Sequence, residues 1–194
     1  VDDYVHGLPA TDPVAIAVST NAAGDATPLA MANVDARFWG VDLDYLRALT
    51  DSLALEFRGH WLEGEIEDPE DHVYRLAPPE VALGLRWTRG PLTLRATQRF
   101  VARELGASRL LTLDPGNPNN RFARVDGYAL THLDASWRVR EDLRLDVGVE
   151  NLFDAEYEDA TSGFLRAAGG TLPVGARLPG RGRNLFARLH YRLD

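Results

Sequence analysis

The residues LRLDVGV (143–149) alternate strictly between apolar and polar side chains. Alternation with a period of two is typical of a β-strand that has one apolar face and one polar face. The alternation stops in the residues that follow, ENLFDAEYEDA (150–160), where Leu152 and Phe153 stand side by side. The strand is therefore predicted to end near Asn151 and to continue into an acidic loop.

The same two-residue period recurs along most of the chain, and no segment of comparable length has the helical period. Short polar turns alternate with long segments rich in Gly, Pro and Asn, which is typical of an up-and-down antiparallel sheet. Counting the stub DDYVHG (2–7), the sequence predicts an all-β chain of about eight strands. The other alternating segments are one that begins near residue 39, then 53–61, 81–88, 92–103, 129–139, 143–149 and 185–193. The short turns are 50–52, 89–91 and 140–142, and the long segments are about 9–28, 66–79, 104–126 and 158–181.

Composition narrows the classes of protein that fit. The 194 residues carry a formal net charge of -8 and a pI near 5.1, which argues against a nucleic-acid binder with its usual basic face. The chain has no cysteine, so disulfides and thiolate metal sites are excluded. It begins with Val1 and shows no export segment, so we expect a processed chain or a piece of a longer one. A mean hydropathy of -0.24 is compatible with a membrane barrel, because only every second residue of a barrel strand is apolar.

Two architectures fit this pattern of strands. A soluble sheet, as in a β-sandwich binding module, would bury its apolar face, whereas a membrane barrel would turn that face to lipid and line a wet lumen with the charged face. The aromatic residues of the apolar face sort into two bands, which would lie about 20–25 Å apart. Such bands are typical of the two interfaces of a membrane barrel, so the membrane interpretation is favoured. The first band comprises Tyr45, Trp87, Trp137 and Tyr191, and the second comprises Trp61 and Phe100.

The polar face carries more charge than a small barrel can accommodate. Eight strands that close on themselves leave an interior just wide enough for side chains, and unpaired buried charges there are costly. The strands are therefore predicted to form part of a wider antiparallel transmembrane barrel with a hydrated interior. A self-contained eight-stranded barrel with a structural or adhesion role is the alternative. The charged residues assigned to the polar face are Asp42, Asp44, Glu56, Arg58, His60, Arg86, Arg95, Arg99, Arg103, Asp134, Arg138, Arg144, Asp146, Glu150, Arg188 and Arg192.

Two motifs near the end of the chain resemble those of a known family. The stretch ENLFDAEY (150–157) resembles the ENLFD-x-x-Y signature in the penultimate strand of TonB-dependent outer-membrane receptors, and GRGRNLFARLHYRL (180–193) resembles their closing strand. The segments DDYVHG (2–7), 33–45 and 73–78 are similar to earlier landmarks of the same barrel. The signature residues carried over to this chain are Glu150, Asn151, Leu152, Phe153, Asp154, Tyr157, Gly182, Arg183 and Asn184.

The motif ENLFD is expected to mark the rim of the barrel wall. Glu150 is assigned to the lumen side, and a bulge or loop start after it can reverse the alternation. Leu152 and Phe153 are expected to pack against neighbouring strands, and Asn151 and Asp154 are expected to hydrogen-bond the local backbone.

The resemblance implies both a fold and a function. Family members have a 22-stranded barrel filled by an N-terminal plug domain, so residues 1–194 would be the C-terminal portion of such a barrel, with the plug absent from this chain. They import scarce ligands, such as ferric siderophores, metal complexes or cobalamin, across the outer membrane of Gram-negative bacteria. The implied partners are outer-membrane lipid, the TonB complex (through the plug and its box) and a small-molecule ligand. No catalytic site, cofactor, metal site or nucleic-acid partner is expected. The family usually ends on an aromatic residue, whereas this chain ends Leu193-Asp194.

Four residues of the polar face are candidates for contact with an anionic ligand: Arg95, Arg99, Arg103 and His60. For the arginines, pairing with nearby carboxylates such as Glu56, Asp134 and Glu150 is favoured over ligand contact. For His60, a hydrogen-bonded place in the wall is favoured over a meeting with His132 across the lumen.

Three further patterns are weighed and set aside. His132, Asp134 and Ser136 alternate along one strand and project about 6.5–7 Å apart, which is too far for an ordered catalytic triad, so a barrel enzyme is disfavoured. The acidic loop EIEDPEDH (65–72) lacks the ligand spacing of a calcium hand, so a solvated loop is favoured. The Gly-x-Gly of PGRGRN (179–184) precedes a strand rather than a helix, which argues against a nucleotide site.

Overall fold

The computed structural model describes residues 3–23, 28–73, 76–104, 106, 108, 125–163, 171–172 and 176–193. Part of the landmark 73–78 and most of the predicted loop 104–126 therefore lie outside the described residues. The elements in chain order are β1 (Tyr4–Pro9), α1 (Pro13–Ala23), β2 (Leu29–Val34), β3 (Ala36–Ala48), β4 (Leu53–Ile66), β5 (Asp71–His72), β6 (Glu80–Arg89), β7 (Leu92–Val101), β8 (Tyr128–Arg140), β9 (Leu143–Glu150) and β10 (Asn184–Tyr191).

The main sheet is antiparallel throughout and runs in the order β10-β9-β8-β7-β6-β4-β3, with β5 paired to the end of β4. The all-β, up-and-down prediction is confirmed. The stub forms β1, which pairs with β2 rather than with the main sheet, and β2 passes into β3 across the single residue Asp35. Counting β2 and β3 as one interrupted strand, the eight predicted strands are present. Among the described residues β3 and β10 do not pair with each other, so this sheet is an open wall.

The predicted tight turns all lie at one end of the sheet. At 50–52 the Thr50 hydroxyl accepts a hydrogen bond from the Leu53 amide (3.0 Å). Gly90 adopts φ +56°, a conformation that costs glycine little. The β8–β9 turn is accompanied by a register shift between Arg138 and Arg140, as expected of a β-bulge. We call this end the short-turn rim and the opposite end the long-loop rim.

The expectation that 9–28 is an irregular loop is wrong in one respect, because α1 lies within it. Asp12 caps the helix: its carboxylate accepts hydrogen bonds from the amides of Val14 (3.1 Å) and Ala15 (3.3 Å). The helix is apolar and small-residue-rich on all sides, so the sequence lacked the polar stripe that reveals a helical period. Among the described residues no helix is long and apolar enough to cross a bilayer.

The apolar face of the main sheet is uncovered. Many cross-strand pairs on this face are apolar on both strands, for example Leu83 opposite Phe57 and Leu133 opposite Val149. Both predicted aromatic bands lie on this face, and the first follows the short-turn rim. A soluble sheet would bury such a surface, so the arrangement favours the membrane interpretation. Exposed residues of this face are Val41, Leu43, Tyr45, Trp61, Val81, Leu83, Leu85, Leu94, Phe100, Leu133, Trp137, Val147, Leu185, Leu189 and Tyr191.

The buried apolar core is small and lies at the long-loop rim, on the polar side of the wall. It consists of Val34, Ala36, Ile66 and Val73, against which Tyr4, Leu8, Phe38 and Leu76 pack. The segment after β4 therefore folds inward over the ends of β1, β2 and β3.

Candidate functional site: the charged face and the long-loop rim

Glu56 is the centre of a charged cluster in the middle of the polar face. Its carboxylate lies 3.2 Å from the Nε of Arg86 and 3.2 Å from the Nε of Arg95. These two arginines stand directly opposite each other on β6 and β7, where like charges repel. Glu56 offsets that repulsion, and because one carboxylate faces two guanidinium groups, the cluster keeps a net positive charge.

Arg99 begins a second network that reaches from the wall to the last loop. Its Nη2 lies 2.6 Å from Oε2 of Glu80, and its guanidinium lies 5.7 Å from the ring centre of Tyr128. The Tyr128 hydroxyl donates to the carboxylate of Asp159 (3.3 Å), and its ring stacks obliquely on Tyr157 at 4.4 Å between centroids. The residues thus connect strands β6, β7 and β8 to the β9–β10 loop.

Asp159 is held in its ionised form by this network. Partial burial by itself raises the pKa of Asp159, but hydrogen bonds from the hydroxyl and amide of Thr161 and from the Tyr128 hydroxyl outweigh it, so the pKa lies below its usual range. The buried guanidinium of Arg177 donates to the carbonyl oxygens of Asp159, Ala160 and Ser162 (3.0–3.4 Å) and fixes the turn around it.

A third cluster surrounds Asp146 near the short-turn rim. Its carboxylate accepts a hydrogen bond from the Ser136 hydroxyl (2.6 Å) and lies 3.2 Å from Arg144 and 2.9 Å from Nε2 of His190. The three strands β8, β9 and β10 are therefore tied together on their polar side.

The four candidate ligand residues do not converge on one point. Arg95 pairs with Glu56, as expected, whereas Arg99 pairs with Glu80 and Arg103 lies 3.8 Å from Asp126 rather than beside Asp134 or Glu150. Their contact with a ligand stays a prediction. Extending the alternation of VALGLRWT (81–88) by one residue would have placed Glu80 on the polar face, but no sequence signal indicated Asp159.

His60 and His132 do not meet. His60 lies on β4, opposite Asp42 on β3 and Glu80 on β6. His132 lies on β8, and strands β6 and β7 separate β4 from β8. Instead, Nδ1 of His132 accepts a hydrogen bond from the Asn151 amide (3.4 Å).

Asn151 organises the long-loop rim after β9. The residue has φ +51° and only 3% of it is exposed. Its Nδ2 donates to the carbonyl oxygens of Ala155 (2.9 Å) and Arg181 (3.2 Å), and its Oδ1 accepts from the Ala155 amide (2.9 Å). One side chain therefore joins the descending and returning arms of the β9–β10 loop. Asparagine suits the position because it tolerates the left-handed region and bonds the local backbone.

The other signature residues extend this junction. Asp154 has φ +56° and its Oδ1 accepts from the Arg183 amide (2.7 Å), while Asn184 donates to Glu150 (3.0 Å). The expected backbone hydrogen bonds of Asn151 and Asp154 are present. The expected packing of Phe153 is wrong, because the residue is 74% exposed, whereas Leu152 is partly buried and its amide donates to the Thr131 carbonyl (2.8 Å).

Tyr157 and Gly180 form a close contact between the two arms of the loop. The Gly180 amide donates to the Tyr157 carbonyl (2.7 Å), and a Cβ on Gly180 would lie 2.2 Å from the tyrosine ring. A side chain at this position would force the tyrosine ring to move. Gly182 is also close to the junction, since a Cβ there would lie 3.1 Å from Oδ1 of Asp154.

No catalytic pair is formed by His132, Asp134 and Ser136. The Ser136 hydroxyl donates to Asp146, and His132 accepts from the backbone, so neither group activates the other. In the part of the chain that the structure describes, no three His, Cys, Asp or Glu side chains are grouped so that they could hold a metal ion.

Comparisons with known proteins agree with this wall-like fold. A family profile described as "TonB dependent receptor-like, beta-barrel" matches residues 8–152. The vitamin B12 transporter BtuB of Vibrio vulnificus (strain YJ016) is 28% identical over 161 residues, which is 82% of this chain and 22% of that protein. The chain thus spans about a fifth of that relative's length.

Solved structures give the same fold. The copper transporter OprC superposes with a TM-score of 0.76 at 18% identity, covering 98% of this chain and 27% of that chain. The pyoverdine outer membrane receptor FpvA from Pseudomonas aeruginosa PAO1 superposes with a TM-score of 0.58 at 16% identity, covering 99% and 26%. The ferric yersiniabactin uptake receptor FyuA from Yersinia pestis superposes with a TM-score of 0.57 at 17% identity, covering 84% and 24%. The chain belongs to the TonB-dependent receptor β-barrel family, whose members are outer-membrane proteins of Gram-negative bacteria.

Proposed function

We propose that this chain is the C-terminal portion of the barrel of a TonB-dependent importer, preceded in the full protein by a plug domain and further strands. The observation that carries this proposal is the open wall. One face is apolar and uncovered, the other is charged, and the edge strands β3 and β10 do not pair with each other among the described residues. Upstream strands of the same polypeptide would complete the ring, and the plug would occupy its hydrated interior.

The transported ligand is a scarce small molecule that diffuses too slowly through ordinary pores: a ferric siderophore, a metal complex or a cobalamin. The relatives named above support this range, since their names include vitamin B12, copper, pyoverdine and ferric yersiniabactin as cargo. Energy would come from TonB, which acts on the plug rather than on this wall.

Arg99, with its neighbours Tyr128 and Tyr157, is the part of the wall best placed to meet an anionic ligand. The group lies where β7 and β8 reach the long-loop rim, and its guanidinium is partly exposed. Arg95 lies deeper, on the Glu56 cluster, and would face the plug instead.

The test is uptake by the full-length receptor. A Gram-negative strain that lacks the gene would be compared with the complemented strain for uptake of ⁵⁵Fe-loaded siderophores, ⁵⁷Co-cobalamin and copper, each with and without TonB. Uptake of one ligand that needs both the gene and TonB is expected. Equal uptake with and without TonB for every ligand would contradict the proposal.

The sequence immediately upstream of Val1 provides a second, independent test. A plug-encoding region is expected there. If the gene begins at this chain, and the chain alone folds as a closed, heat-modifiable barrel in detergent, the self-contained barrel is the correct alternative.

A further inference from the structure

Two arginines stand on the apolar face of the wall, at the short-turn rim. Arg47 lies on β3, two residues after Tyr45. Arg89 is the last residue of β6 and lies two residues after Trp87. Each is opposite a leucine of the apolar face on the neighbouring strand. Because side chains two residues apart on a strand share a face, each arginine follows an aromatic residue of the first band toward the rim. We call Arg47 and Arg89 the collar arginines.

The collar arginines have no ionic partner within the wall. Both residues are exposed, and in the described part of the chain neither side chain has a carboxylate at ion-pair distance or a hydrogen-bond acceptor. By contrast, Arg140, which the β-bulge places opposite Leu143 on the same face, pairs with Asp142 (3.2 Å). The carboxylates of Asp51 and Glu141 lie in the turns, beyond the ends of the strands. An arginine at the edge of an apolar membrane face extends its side chain to the headgroup region, where phosphates accept its hydrogen bonds.

An open apolar depression adjoins Arg89 on the side away from the rim. Its volume is about 710 Å³, and residues of the apolar face on strands β4 to β10 line most of it. The surface is low where the small Ala96 and Ala135 stand beside the leucines opposite them. Trp87 lines the edge nearest to Arg89. In a bilayer, an acyl chain is the apolar group that meets this surface. The lining includes Leu53, Leu85, Trp87, Leu94, Ala96 and Ala135.

The charge at the two rims indicates which leaflet meets the collar arginines. At the long-loop rim the same face carries carboxylates: Glu63 accepts a hydrogen bond from Nε1 of Trp39 (3.1 Å), and Arg37 pairs with Glu67. The collar arginines add unpaired positive charge to the opposite rim. In outer-membrane barrels the short turns face the periplasm, so the collar lies at the headgroups of the periplasmic leaflet. Positive side chains at this level attract anionic headgroups.

We propose that Arg89 and the apolar depression form a binding site for an anionic phospholipid of the periplasmic leaflet. The Arg89 guanidinium donates to the lipid phosphate, a geometry that suits a planar fork of N–H groups. One acyl chain lies in the depression, beside Trp87. Arg47, which stands two strands away, adds to the attraction for negative headgroups. The site depends on the orientation of the wall in the membrane and not on the imported ligand.

The experiment measures lipid binding to the full-length receptor in detergent by native mass spectrometry. The probes are phosphatidylglycerol and phosphatidylethanolamine with identical acyl chains, and inorganic phosphate is the competitor. Phosphatidylglycerol is expected to bind more tightly than phosphatidylethanolamine, and excess inorganic phosphate should not displace it, because free phosphate cannot fill the depression. Equal binding of the two lipids, or displacement by inorganic phosphate, would overturn the proposal. The readout involves neither uptake nor TonB, so its failure is distinct from a failure of the proposed function.

Variants test the two parts of the site separately. Arg89→Gln is expected to weaken phosphatidylglycerol binding about five-fold, the effect of removing one positive charge beside an anionic headgroup, and adding Arg47→Gln should weaken it further. Ala135→Phe leaves both arginines in place but fills the depression, so it should also weaken binding. Arg58→Gln is the matched control, because it makes the same change of charge on the polar face and should bind like the unmodified receptor. Unchanged binding in Arg89→Gln or Ala135→Phe, or an equal loss in Arg58→Gln, would contradict the site.

Discussion

Asn151 and Arg181 are joined by a hydrogen bond of 3.2 Å from the asparagine Nδ2 to the arginine carbonyl oxygen, across the two arms of the β9–β10 loop. The same side chain makes two hydrogen bonds to Ala155, so one buried amide holds three backbone groups. The stretch that resembles the family signature therefore has a structural role: it fixes how the chain passes from β9 through the loop to β10.

Asn151→Ala is predicted to destabilise the barrel. The change removes three hydrogen bonds from a buried site and leaves their backbone partners unsatisfied, with a cost of about 1–3 kcal/mol in the free energy of unfolding. Urea unfolding of the full-length receptor in liposomes, followed by tryptophan fluorescence, measures the change. Phe153→Ala is the matched control: the residue is 74% exposed, so removal of its ring should leave the unfolding midpoint unchanged. Equal effects of the two changes would contradict this role of Asn151.

Glu56→Gln is predicted to make the stability of the barrel sensitive to salt. Arg86 and Arg95 would then face each other without a carboxylate between them. Because the three side chains are partly exposed, the loss is expected to be only about 1 kcal/mol at low salt, and smaller still in 1 M salt, which screens the repulsion. Unfolding curves at the two salt concentrations measure it. Asp44→Asn breaks a solvent-exposed pair with Arg58 and is expected to have no such effect. If the loss of unfolding free energy in Glu56→Gln does not change with salt, its cause is packing and not charge.

The sequence predicted the strands well because most of each one keeps a two-residue period, as in 81–88 and 132–139. It also predicted the charged face, since parity along a strand fixes the side on which Arg95 or Asp134 lies. The ion-pair partners of these charged side chains were harder to predict. Register decides that Arg95 reaches Glu56 although Asp134 stands directly opposite, and register is not visible in one strand alone.

Features of the long-loop rim escaped prediction for physical reasons. Helix α1 has no polar stripe, so the sequence shows no helical period there. Asp12, which caps the helix, cannot be told from a turn residue by sequence alone. The small core at Val34, Ala36 and Ile66 depends on Val73, which follows β4 and returns to the wall by tertiary packing. The exposed ring of Phe153 follows from the left-handed backbone at Asn151 and Asp154, which turns the chain away from the neighbouring strand.

Acid is predicted to loosen the turn at Asp159 before it unfolds the wall. The pKa of Asp159 lies below that of an unstructured aspartate, about 3.9, so its contribution to stability is present above that pH and is lost as the pH falls through the lower, folded value. Hydrogen exchange at residues 158–163, corrected for the intrinsic rate, should accelerate in the full-length receptor below about pH 4. Asp159→Asn removes the ionisable group, so this acid-dependent step should disappear while exchange at neutral pH is already raised. An unchanged acid response in the variant would show that another group controls the turn.

Leu83→Arg is predicted to destabilise the receptor far more than Leu46→Arg, although the substitutions are chemically identical. Leu83 lies on the apolar face in the middle of β6, opposite Phe57 and Gln98, whereas Leu46 lies on the polar face opposite Glu56. Near the bilayer midplane an arginine on the lipid side costs about 2–4 kcal/mol, while one on the lumen side is solvated.

Urea unfolding in liposomes gives the two free energies, and nitroxide labels at the same positions give an independent check of the sidedness. A label at Leu83 should be relaxed mainly by oxygen, which dissolves in the acyl region, and a label at Leu46 mainly by a water-soluble nickel complex. Comparable costs for both arginines, together with a Leu83 label that nickel reaches more readily than oxygen, would mean that the apolar face does not meet lipid.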